Sequence, residues 1–256
     1  MKALIPFLKK EALEQLRTGK VLFLGTLFIL FGIMNPAIAK LTPWLLKMMS
    51  DSLAQSGMTV TEVTVTALDS WVQFFKNIPM ALIAFVLTEG SLFTKEYESG
   101  TLILSLTKGL RRGTVVIAKA LTLTLLWSLG YWLCFGITWG YNRYFWDNSL
   151  ARNLPLSGVC WWLFGMWVIG LTALFSTLSA TGTGVLLGTG GIVLLSTLLG
   201  LLPKAREYVP TLLTDGNSLI FGTARADTYT SAILLTAALT AACLAAALPI
   251  FHKKQL

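Results

Sequence analysis

Apolar residues run almost unbroken through six stretches of the chain, near 20–39, 74–94, 114–140, 157–177, 184–203 and 229–250, with polar and charged residues gathered between them. A hydrocarbon layer of about 30 Å is crossed by about 20 helical residues at 1.5 Å rise each. Lipid offers no hydrogen bonds to the backbone, so each stretch must close its own and is predicted helical. The pattern therefore predicts an all-α polytopic membrane protein with six transmembrane helices, in a single membrane domain covering residues 1–256. The second stretch has the least definite start, because Trp71 to Asn77 is aromatic yet carries Lys76.

Ahead of the first stretch, Ile5, Leu8, Ala12, Leu13 and Leu16 recur at helical spacing among lysines. This predicts an amphipathic helix over residues 1–19, lying on a membrane surface with its lysines on the polar face. The basic leader, the run from Val21 to Met34 and Ala37-Ile-Ala39 imitate a secretory signal, but the leader is long and contains Glu11 and Glu14. Residues 40–76 form the largest piece outside the spans. There Trp44, Leu45, Met48, Met49 and Leu53 suggest a second interfacial helix, followed by Val60, Val63, Val65 and Leu68 without a clean period. Tyr141, Tyr144, Phe145, Trp146, Trp161 and Trp162 read as an aromatic belt at one membrane boundary, with substrate contact as the alternative.

Composition agrees with the pattern: 55% of the 256 residues are hydrophobic, 12% are charged and the mean hydropathy is +0.70. The net charge of +8 is unevenly spread. With both termini on the cytoplasmic side, that side receives Lys2, Lys9, Lys10, Arg17 and Lys20, then Lys95, Lys108, Arg111, Arg112 and Lys119, and finally Lys253 and Lys254. The opposite side holds its basic residues in longer loops, mixed with acids. Lysine and arginine near span ends favour this orientation in a cell membrane, and the surplus cations suit anionic lipid. No basic stripe with interleaved aromatics marks a nucleic-acid interface. Cys134, Cys160 and Cys243 lie in apolar runs without metal-ligand spacing, so neither a metal site nor a disulfide framework is expected.

Catalytic patterns are missing. His252 is the single histidine, and no Ser-x-x-Lys, Gly-x-Ser-x-Gly or His-Glu-x-x-His occurs. Ion-coupled transport needs ionisable groups at membrane depth, and the central parts of the third to sixth stretches contain none. Lys119 is close enough to the cytoplasmic boundary to snorkel. Glu89 is the one candidate buried acid, with pairing to nearby basic residues as its simpler reading. The glycine-rich run from Gly182 to Gly191 lacks the lysine of a phosphate-cradling loop. Within it, Gly184 and Gly188 form a Gly-x-x-x-Gly step suited to close helix packing.

One polar segment interrupts this apolar chain between the second and third stretches. In order it carries Glu96, Gly100-Thr101, the apolar Leu102, Ile103 and Leu106, Gly109, then Arg111-Arg112, and Lys119 seven residues on. Residues 101–107 suit a short helix offering Leu102 and Leu106 to a groove. Gly109 would end that helix, while Arg111 and Arg112 would meet acids or lipid phosphates.

The order Glu96, Gly100, Thr101, Leu106, Gly109, Arg112, Lys119 resembles the cytoplasmic signature of the ABC type-2 permease family, the membrane subunits of ABC transporters. The family usually has proline where this chain has Gly109. The resemblance covers most of the chain in layout and residues 96–119 in motif. It implies an interfacial elbow helix at residues 1–19 and a cytoplasmic coupling segment at 95–113. It also implies pairing with a second copy or a paralogue, export more often than import, and separate ABC ATPase subunits that carry the ATP and magnesium. No cofactor and no ATP site are expected on this chain. A membrane scaffold or sensor that docks a cytoplasmic partner without transporting is the alternative.

Overall fold

The computed structural model describes residues 4–49, 64–92, 94, 96, 100, 107 and 111–253. Among these the regular structure is entirely helical. Eight α-helices follow in order: α1 (Leu4–Arg17), α2 (Lys20–Met48), α3 (Ala67–Glu89), α4 (Arg112–Phe145), α5 (Leu154–Leu178), α6 (Gly182–Leu199), the short α7 (Gly216–Ile220) and α8 (Thr230–Lys253). Six of them, α2 to α6 and α8, are long and apolar enough to cross a membrane. Short 3₁₀ turns at Asn148–Leu150, Pro210–Thr214 and Ala226–Tyr229 complete the connections.

Two of the helices outrun their apolar stretches. Helix α2 continues through Lys40 and Pro43 to Met48, and α4 reaches Phe145. The extensions brace each other: the Lys40 ammonium sits 3.5 Å from the centroid of the Phe145 ring, a cation–π contact made by a side chain that is still exposed. Trp44, Leu45 and Met48 thus prolong α2 and form no separate interfacial helix; Leu53, Val60 and Val63 lie outside the described residues. Helix α3 begins at Ala67, where the Thr66 N–H donates to Asp69 Oδ2 at 2.8 Å as an N-terminal cap.

The core is an aromatic seam where α3, α4 and α5 meet. Trp71, Phe74, Phe85, Trp127 and Tyr131 are buried there, and Trp127 meets Phe28 and Phe85 edge to face. Gly165 of α5 makes room for this seam, since a Cβ at that position would lie 2.3 Å from the Trp127 indole. A polar chain then ties α2, α3 and α4 together. Asn77 Nδ2 donates to Asn35 Oδ1 at 2.9 Å, and Asn35 Nδ2 donates to Thr138 Oγ1 at 3.2 Å. Thr138 Oγ1 in turn donates to the Gly32 carbonyl at 3.1 Å. Pro36 lacks the N–H that would normally reach that carbonyl one turn back, so Thr138 satisfies a group that would otherwise be orphaned in an apolar layer.

At the end remote from α1, connections are pinned by side chains. Trp71 Nε1 donates to Asn148 Oδ1 at 3.1 Å, Trp161 Nε1 to the Thr214 carbonyl at 2.8 Å, and Tyr229 OH to the Asp215 carbonyl at 3.0 Å. Trp161 is therefore buried core and no part of an aromatic belt, whereas Tyr141 and Tyr144 are exposed. Helix α6 packs mainly on α5 and stands away from α3, which leaves a long apolar groove between them.

Candidate coupling site

Helix α1 turns Glu11 inward and leaves Glu14 exposed. Phe7, Glu11 and Gln15 form its buried stripe at successive turns, and Ile5 and Leu16 stand exposed on other faces. A simple amphipathic reading would leave both acids of this helix in water. Instead the stripe packs against α4, and Gly19, in the left-handed region at φ 72°, makes the sharp corner into α2.

The buried carboxylates meet two lysines. Lys119 Nζ, on the second turn of α4, lies 3.1 Å from Glu11 Oε2 and 3.1 Å from Glu96 Oε2, and donates to the Leu92 carbonyl at 3.1 Å. Lys10 Nζ pairs with Glu11 at 3.1 Å, with Glu14 at 3.2 Å and with Glu96. Lys119 does not snorkel: its side chain is only 2% exposed, enclosed by α1 above the end of α4. Beside this cluster, Glu89 at the end of α3 accepts from Gln15 Nε2 at 2.6 Å and from Lys20 Nζ at 3.3 Å. Charged and amide groups from α1, α2, α3, α4 and the segment after α3 thus converge at one end of the bundle.

Glu11, Glu14 and Glu96 bring their oxygens within 4.8 Å of one another, a spacing that could hold a cation. Lys10 and Lys119 already supply the opposing charge, so the group is an ion-pair network. Burial alone would raise the Glu96 carboxyl, but Lys119 and Lys10 overcome it and hold Glu96 below its ordinary value of 4.5. Burial works against the charge on Lys10 as well, yet its bonds to Glu96 and Glu11 hold it above its ordinary value of 10.5.

Of the other residues singled out, Gly100 is left-handed at φ 65°, a conformation that suits glycine. Arg111 is exposed, and Arg112 opens α4. Arg112 Nη1 reaches the last turn of α8, donating to the His252 carbonyl at 3.2 Å and the Phe251 carbonyl at 3.4 Å. Thr101, Leu102, Leu106 and Gly109 lie outside the described residues. Gly188 faces α5, where a Cβ would sit 2.3 Å from the Phe175 ring. Gly184 instead meets Ser179 in its own connecting turn, at 2.2 Å. The two glycines therefore do not share one packing surface.

Residues 5–215 match the family described as ABC-2 family transporter protein, a stretch that begins in α1 and contains the whole ion network. The chain belongs to the ABC-2 transporter family. Comparison with curated proteins and with solved structures returned no match. As an ABC-2 membrane subunit it is a multi-pass transporter component whose family implies an ABC ATPase as partner. Within this ABC-2 chain, Glu96 and Lys119 are two residues of the signature that the fold brings together. The contributions of Glu11, Lys10 and Gln15 were hidden, because a charged residue on a surface helix gives no sign of facing inward.

Proposed function

We propose that this ABC-2 chain is the permease of an exporter, pairing with a second copy or a paralogue to form the pathway and driven by separate ATPase subunits. The ATPase would dock on the coupling segment, residues 95–113, and both chain termini would be cytoplasmic. The observation that carries the reading is the ion network. Glu96, at the start of the coupling segment, is bonded to the base of α4 through Lys119 and to α1 through Lys10. A displacement of the segment by a partner would pull on α1 and α4 together, because separating buried opposite charges is strongly unfavourable. In this scheme Glu96, Lys10, Glu11 and Lys119 transmit motion, and Leu102, Leu106 and Arg111 meet the partner.

The test is co-expression with its ATPase subunit, identified by pull-down, followed by reconstitution. Leu102→Asp and Leu106→Asp would place a charge in the docking groove at a large desolvation cost. Both variants should insert normally but lose the ATPase on pull-down and lose coupled hydrolysis. Retention of full complex and full coupled hydrolysis would refute the docking role. Glu96→Gln should keep the complex and reduce coupled hydrolysis, because the segment still docks but holds α1 and α4 more weakly.

A further inference from the structure

The ion network sets a common level for the spans, and helical rise gives the depth of each residue from it. Lys20 Nζ lies 3.3 Å from Glu89 Oε2, so the first turn of α2 and the last turn of α3 are level. From Lys20 to Lys40 helix α2 rises roughly 30 Å at 1.5 Å per residue, the thickness of a hydrocarbon layer. Helix α3 covers the same rise of roughly 30 Å from Glu89 back to Asp69. The far level is tied as well: Trp71 Nε1 donates to Asn148 Oδ1 at 3.1 Å, just past the Phe145 ring that Lys40 meets. Two charged layers therefore bracket the membrane-spanning length.

Between those layers the sequence places a single charged residue, Lys76. No other lies between Lys20 and Lys40, between Asp69 and Glu89, between Lys119 and Arg143, in α5 or α6, or in α8 before His252. Lys76 stands roughly 20 Å from Glu89 and roughly 10 Å inside the level of Asp69 at 1.5 Å per residue. Its neighbour Asn77 agrees with that depth, since it bonds to Asn35, more than a turn short of Lys40. Lys76 is exposed on the outside of the bundle, and among the described residues it makes no hydrogen bond and no ion pair. A charge at membrane depth is costly, and it persists where it has a partner.

What can reach this lysine decides the partner. A helical side chain leans toward the N-terminus of its helix, which in α3 is the end remote from α1, and a long lysine stem carries its ammonium further toward headgroup level. A second copy of the chain offers no counter-charge there. The spans contain no acid between the two layers, and Glu89 at their edge is already held by Gln15 and Lys20. The lipid remains. Met80, Ile83 and Leu87 follow Lys76 at helical spacing and are all exposed, an apolar track for an acyl chain beside the cation. Gln73, one turn nearer the far layer on the same face, is half-buried and bonds to nothing among the described residues; its amide is a second donor. We propose that Lys76 and Gln73 hold the phosphate of an anionic phospholipid in the leaflet remote from α1, with one acyl chain along Met80, Ile83 and Leu87. The site is independent of the permease reading, since it needs only the chain in a bilayer.

The experiment uses the full chain in phosphatidylcholine nanodiscs doped with one of two photoreactive probes. One is phosphatidylglycerol with a diazirine near the head of an acyl chain, and the other is phosphatidylcholine carrying the same group. Illumination and peptide mapping should place label on α3 between Met80 and Leu87, about fivefold more from the phosphatidylglycerol probe, the preference expected of one lysine at an anionic lipid surface. Lys76→Gln should erase that preference and Lys76→Arg should keep it. Lys40→Gln, which removes an exposed cation at the boundary on α2, should leave the labelling of α3 unchanged. Equal labelling of α3 by both probes in the parent chain, or a preference that survives Lys76→Gln, overturns the site. A preference lost in Lys76→Arg too would show that charge is not what is read. One lost equally in Lys40→Gln would reduce the effect to general surface charge; either result overturns the phosphate contact. Lys76→Cys, in a chain lacking Cys134, Cys160 and Cys243, should stay free of disulfide between copies. A cross-linked dimer would put protein where the lipid is proposed and overturn the site as well.

Discussion

Lys119 Nζ lies 3.1 Å from Glu96 Oε2 and 3.1 Å from Glu11 Oε2, joining two carboxylates that flank the first two spans along the chain. With Glu11 fully buried and Lys119 almost so, the lysine is the element whose loss is least tolerable. Removing one member of a buried ion pair costs about 3–5 kcal/mol, because the remaining charge has neither water nor partner. Lys119→Met should accordingly lower thermal stability sharply in detergent. Adding Glu11→Gln and Glu96→Gln to it should recover much of the loss. A Lys119→Met variant as stable as the parent in a thermal-shift assay would show that the network contributes nothing to holding α1.

The same cluster sets a pH interval. Glu96 is depressed, so its contribution to holding α1 is present above the ordinary value of 4.5 and is lost as pH falls through its lower folded value. Lys10 is raised, so its contribution is present below 10.5 and is lost as pH rises through its higher folded value. Hydrogen exchange of α1 should therefore be evenly protected between those values and loosen outside them. Glu96→Gln should remove its part of the acid limb and also weaken the alkaline one, because Glu96 is one of the two carboxylates that raise Lys10. An α1 that loosens near neutrality would contradict the assignment.

Much of this was legible from the chain, and the failures share a cause. The six spans follow from length and apolarity alone, quantities local to each stretch. Lys119 and Glu89 were visible as charges near a boundary, but the partners of Lys119 lie on α1 and after α3, and one sequence carries no record of such distant pairings. Helix α1 misled for a related reason: its apolar residues fit a membrane-surface helix, yet Glu11 and Gln15 face protein and Ile5 faces away. Lys40 ends the apolar stretch without ending the helix, and its ammonium meets the Phe145 ring from far along the chain.

Packing between α5 and α6 depends on one glycine of the pair. A side chain at Gly188 would strike the body of the Phe175 ring, whereas Gly190 faces open space. Gly188→Leu should cost about 1–3 kcal/mol through overpacking, and Gly190→Ala should not destabilise. Thermal unfolding of the two variants side by side checks this, and equal stability would place α6 differently against α5.

Orientation is testable with cysteines in a background lacking Cys134, Cys160 and Cys243. Residues 9 and 252 belong to the end that gathers α1 and the tail of α8, and both are exposed. Cysteines there should resist impermeant thiol reagents in intact cells, while one at the exposed Tyr208 position should react. Labelling at residue 9 from outside would invert the topology and remove the coupling segment from reach of any ATPase.

The two arginines that close the proposed coupling segment should behave differently. Arg112 donates to the carbonyls of Phe251 and His252, closing the last turn of α8. Helix ends leave such carbonyls without intrahelical partners, and a nearby cation satisfies them. Arg111 is exposed and makes no such bond among the described residues. Arg112→Ala should therefore speed hydrogen exchange over the final turn of α8, and Arg112→Lys should restore part of it. Arg111→Glu should leave that exchange unchanged and weaken ATPase capture, through repulsion from the acids proposed to meet it. If Arg112→Ala leaves the last turn of α8 fully protected, its hydrogen bonds do not hold the helix end. If Arg111→Glu captures the ATPase at parental affinity, the exposed arginine is not part of the docking surface, and the apolar residues of the segment would have to supply the contact alone.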